Sequence, residues 1–123
     1  MVDVGLRIDT LRYFIPSYEW YNQEISDWAK AMNVQVINFT PGTSSNADYT
    51  TPDMKNYRSS KEIYHSLLSF EDKNTLNGFL LLIHIGTHPK RTDKFYNRLD
   101  DLIKELKKRE YVFERVDELL KNK

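Results

Sequence analysis

The stretch LLLIHIGTHP, residues 80 to 89, constrains the fold more than any other part of the sequence. A continuous apolar run, rather than an alternating one, is how a strand buried on both faces of a parallel sheet reads. It predicts a strand over 79–85, introduced by the turn pair Asn77-Gly78. The side chain at the carboxyl end of such a strand faces the crevice in which α/β sheets bind ligands, and here that side chain is His84. Imidazole titrates near neutral pH, so His84 is a candidate general acid or base. His84 and His88 also have the i, i+4 spacing of zinc ligands on a helix, but Gly86 and Pro89 read as a strand running into a turn, and the helical geometry is then lost.

Helical periodicity flanks this run on both sides. Tyr21, Ile25, Trp28, Ala29 and Met32 recur at helical spacing behind a candidate cap at Asn22, which predicts a helix over about 22 to 32. Residues 34–39 follow as a short β-branched run, and PGTSSNADYTTPD supplies turn formers without periodicity. Ser59 followed by Glu62 makes a capping box for a second helix over about 59 to 71, with Ile63, Tyr64, Leu67, Leu68 and Phe70 on one face. A third helix over about 91 to 109 buries Phe95, Leu99, Leu102, Ile103 and Leu106, then 111–113 reads as a short strand and 116–120 as a closing helical turn. Strands alternating with helices of this length indicate an α/β fold of βα units around a parallel sheet. The count of about three long helices and three or four strands is that of an incomplete (β/α) barrel-like sheet rather than a closed barrel. At 123 residues, 1–123 is expected to be a single domain.

Composition narrows the partners. With 18 basic and 18 acidic residues, the formal charge of zero gives no electrostatic argument for nucleic acid or an anionic membrane. No apolar run approaches the roughly 18 to 20 residues of a membrane-spanning helix. The absence of cysteine excludes disulfides and thiolate metal sites.

Three further features carry candidate chemistry. The aromatic loop 14–18, Phe-Ile-Pro-Ser-Tyr, precedes a helix, where its backbone amides can present donors to a ligand oxygen; a hydrophobic staple for that helix is the plainer reading. Trp20 and its aromatic neighbours suit stacking on sugar rings, although aromatic clusters more often build cores. Asp48-Tyr49 lies in the long loop, at the sheet edge of His84, where an acidic residue can orient an imidazole.

Taken in order, these stretches resemble the carboxyl-terminal half of the polysaccharide deacetylases, the family 4 carbohydrate esterases that share the NodB homology domain. Leu82-Ile83-His84 matches the last family motif, the aromatic-proline loop followed by Tyr21-Asn22 matches an earlier one, and REYVFERVDELL fits the closing pattern. The resemblance implies a distorted TIM-like barrel and hydrolysis of N- or O-acetyl groups on a carbohydrate. It assigns His84 the protonation of the departing group, the Tyr18 amide part of the oxyanion site, and Leu82 the pocket for the acetyl methyl. Asp48 corresponds to the acid that pairs with the histidine, and Tyr49 to the aromatic beside it. Such enzymes are commonly secreted or periplasmic.

Two departures shape the expectation. The family arginine in the aromatic loop falls at Ile15, with Arg12 the candidate substitute. The early motifs, paired aspartates and His-x-x-x-His that hold zinc or cobalt, are missing before Phe14. The chain is therefore expected to be the carboxyl-terminal portion of a longer hydrolase, without a metal site of its own and inactive alone. Unpaired sheet edges are expected to favour self-association. The rival expectation is a non-catalytic carbohydrate-binding or interaction module on a degenerate deacetylase fold.

Overall fold

The computed structural model describes residues 11–121. Their contacts fall into two compact units, one ending at Phe39 and one beginning at Thr40.

The first unit contains a short βαβ arrangement. Strands β1 (Tyr13–Phe14) and β2 (Gln35–Val36) pair in parallel, Tyr13 opposite Gln35 and Phe14 opposite Val36. Parallel neighbours need a crossover, and helix α1 (Gln23–Ala31) lies in that connection. Asn22 caps α1 by accepting the Ile25 amide at 3.0 Å. At the other end Asn33 adopts φ 58°, and the Val34 amide returns to the Ala29 carbonyl at 2.8 Å, a left-handed stop that turns the chain into β2.

The second unit packs around α2 (Ser60–Asn74) and α3 (Leu99–Lys108). The Ser59–Glu62 capping box is present in both directions. Ile63 and Leu67 of α2 meet Leu102 and Leu106 of α3, with Leu76 and Phe95 completing the buried cluster. A short helix, α4 (Val116–Lys121), closes the described chain.

The apolar run differs from its sequence reading. Phe79, Leu81 and Ile83 pack on the buried cluster, which is the alternation of an extended chain, but 79–85 joins no regular ladder. The reason lies in where its amides go. The Leu80 amide donates to the Thr40 hydroxyl at 3.0 Å and the His84 amide to the Asp48 carboxylate at 2.6 Å. One ladder-like bond remains, from the Thr40 amide to the Leu80 carbonyl at 2.9 Å, and Pro41, which has no N–H, follows it.

Residues 111–113 are likewise outside any ladder, because the Tyr111 amide returns to the Leu106 carbonyl at 3.0 Å as the chain leaves α3. The third helix also begins later than its periodicity predicts: 95–98 form a 3-10 turn and α3 starts at Leu99. Residues 91–94 are instead committed to tertiary bonds, with the Asp93 carboxylate receiving the Ser60 amide at 2.7 Å.

Candidate functional site

Asp48 sits on the five-residue 3-10 turn Ser45–Tyr49. Ser44 enters this turn at φ 64°, and the Thr50 amide closes it on the Ala47 carbonyl at 3.1 Å. This places the Asp48 side chain at 1% exposure. A buried carboxylate needs donors. Both come from His84: its amide donates to Oδ2 at 2.6 Å, and its Nδ1 lies 2.6 Å from Oδ1.

One carboxylate thus grips the main chain and the ring of the same histidine. Because an ionised carboxylate only accepts, the contact assigns the neutral ring's proton to Nδ1 and leaves Nε2 as its acceptor nitrogen. The Tyr49 ring stands edge-on to the imidazole, with centroids 5.7 Å apart at 70°. The His84 side chain remains 33% exposed, so the ring is reachable from solvent while its partner is not.

The structure therefore brings Asp48, Tyr49 and His84 together. Leu82 is half-buried two residues before His84, on the side of the run opposite the core-facing Phe79, Leu81 and Ile83. Tyr18 and Trp20 belong to the unit that ends at Phe39, where their side chains are 95% and 63% exposed. Tyr18 has φ 57° and Glu19 φ 58°, so the aromatic loop turns through two consecutive left-handed residues. The Asn38 side-chain amide fixes this turn by donating to the Glu19 carbonyl at 2.9 Å.

Among the described residues no group of three or more His, Asp or Glu converges. His88 is spent locally: its Nδ1 accepts the Lys90 amide at 3.0 Å, and its carbonyl accepts from Lys94 Nζ at 3.1 Å. His65 lies exposed on α2. Nor is any described helix long and apolar enough to cross a membrane.

The residue that sequence reasoning missed is Arg91, which is fully buried behind this turn. Nothing in Lys90-Arg91-Thr92-Asp93 separates a buried arginine from a solvated one. No family model, no curated protein and no solved structure matches this chain.

Proposed function

We propose that this chain carries the proton-donating and acetyl-contacting part of a carbohydrate deacetylase-like hydrolase. The observation that supports this reading is the two-point grip of Asp48 on His84. A ring held through Nδ1 and through its own backbone cannot swivel, so Nε2 presents its proton in one direction. In this reading the His84 imidazolium protonates the departing amine or alkoxide at Nε2. Asp48 keeps the ring in the required tautomer. Leu82 offers an apolar wall to the acetyl methyl, and Tyr49 flanks the ring. No step is assigned to a metal. The expectations of inactivity for the chain alone and of self-association stand with this proposal.

The test is a titration of the purified chain with acetylated chitooligosaccharide and with acetylated xylan, followed by methyl and imidazole NMR. Acetate is assayed in parallel with and without added zinc or cobalt. The expected result is a shift of the Leu82 methyls and the His84 ring without acetate release. Acetate release that survives His84→Gln overturns the assignment of His84.

A second reading has its own observation in the exposed Tyr18 and Trp20, which suit a carbohydrate-stacking platform. Oligosaccharide binding that is lost in Trp20→Ala and kept in His84→Ala selects this module over the hydrolase.

A further inference from the structure

Arg91 makes no contact with His84 in the reading above, yet burying a guanidinium completely is expensive. Its donors are distributed over three segments. Nη1 donates to the Thr50 carbonyl at 2.9 Å and to the Arg58 carbonyl at 2.6 Å, Nη2 donates to Ser60 Oγ at 3.2 Å, and Nε donates to the Asp93 carbonyl at 2.6 Å. The Tyr57 ring lies 5.3 Å from the guanidinium carbon. A core-filling role is met at lower cost by leucine or methionine. A rigid planar fork of donors is what joins carbonyls from separate segments.

Thr50 is the point at which this network reaches the candidate site. It follows Asp48 by two residues, is itself fully buried, and closes the turn by donating its hydroxyl to the Ala47 carbonyl at 2.6 Å. The same hydroxyl accepts the Arg58 amide at 3.2 Å, so the two ends of the 50–58 loop meet at Arg91.

We infer that Arg91 is a positioning residue: by pinning the Thr50 and Arg58 carbonyls it sets the pitch of the Ser45–Tyr49 turn and aims the Asp48 carboxylate at His84. This deepens the proposed function and rests on the Asp48–His84 pair being its working part. Arg91 touches no substrate. It acts through Thr50 and Asp48.

The test reads the pair directly, without substrate, in nitrogen-resolved imidazole spectra of the labelled chain. The Nδ1 proton of His84, held by Asp48 at 2.6 Å, is expected to give a slowly exchanging signal in the parent sequence. Arg91→Lys keeps the charge but loses the fork. With its fold verified by circular dichroism, it is expected to exchange that proton about tenfold faster. A folded Arg91→Lys with an unmoved His84 signal overturns the inference.

Should Arg91→Lys not fold, Ser60→Ala removes the bond from Nη2 together with the Ser60 hydroxyl's own bond to the Asp93 carbonyl at 3.0 Å, leaves Nη1 on Thr50 and Arg58, and reads the same signal. About two- to threefold faster exchange is then expected, and an unchanged rate overturns the inference. The two proposals fail separately. Activity that survives His84→Gln refutes the functional reading whatever Arg91 does, and an unmoved signal in a chain whose His84 ring responds to the acetylated oligosaccharide refutes only the positioning role.

Discussion

Both carboxylate oxygens of Asp48 are spent on one residue: Oδ2 takes the His84 amide and Oδ1 faces its Nδ1, each at 2.6 Å. The bond to the backbone fixes where the ring begins, and the bond to Nδ1 fixes where it points. Neither alone does both.

Asp48→Asn separates these two functions. An amide offers one acceptor oxygen and one NH2 group in nearly the same shape. If the oxygen keeps the His84 amide, the NH2 faces Nδ1 and requires it to accept, which moves the ring proton to Nε2. The variant is expected to fold with a loss of about 1–3 kcal/mol and an inverted His84 tautomer. Nitrogen-resolved imidazole NMR checks the inversion, and chemical denaturation checks the stability. A wild-type tautomer in the folded variant would falsify the geometry described for the pair.

Gly42 tests the packing around α2. It has φ +124°, and a Cβ built there falls 2.5 Å from Phe70 Cε2. Phe70 has little freedom to retreat, since its ring meets Phe79 edge-on at 5.4 Å. Gly42→Ala therefore adds backbone strain to a steric clash, and a loss of about 2–5 kcal/mol is expected. A thermal melt of the variant beside the parent is sufficient to read it.

The parts of this structure that were legible in the sequence are those whose causes are local. Asn22 before α1 and the Ser59–Glu62 box before α2 announce themselves within four residues, because a cap bonds to the turn it starts. The strand expected over 79–85 failed as a regular ladder for the opposite reason. Its amides at 80 and 84 are taken by Thr40 and Asp48, about forty residues upstream, and no periodicity reports such partners. Asp48 and His84 likewise have no spacing signature; their expected place at one sheet edge and the family resemblance are what join them. Arg91 was invisible because its partners are mostly main-chain carbonyls, which every residue possesses.

Tyr111 shows how the ends of α2 and α3 are tied. Its hydroxyl lies 3.0 Å from Thr75 Oγ1, accepts the Leu76 amide at 2.9 Å and donates to Glu71 Oε1 at 3.1 Å. Glu71 also binds Arg109, which holds that guanidinium above its ordinary pKa, with the Glu105 carboxylate adding to the effect. Tyr111→Phe leaves the Leu76 amide without its acceptor beside the core, and releases Thr75 from a φ of 65°. The expected loss is about 1–3 kcal/mol, read by denaturation. Hydrogen exchange at Leu76 should accelerate more than exchange in the middle of α2.

Asp53 gives the acid limb of the stability profile a defined contributor. The Thr51 hydroxyl donates to its carboxylate, and this bond, followed by the Asp53 backbone amide and weaker attraction from Lys90 and His88, holds the group below the ordinary aspartate value. A carboxyl depressed in the folded state binds its proton more readily when unfolded. Its contribution is therefore complete above the unfolded value and disappears as pH falls through the lower folded value. Thr51→Val removes the largest cause, so the Asp53 titration, followed by carboxyl carbon NMR, should move up toward the ordinary range. The variant's stability should then change less than the parent's across that acid interval. The group is exposed to solvent, so the difference is small, and the titration curve rather than the melting temperature decides the outcome.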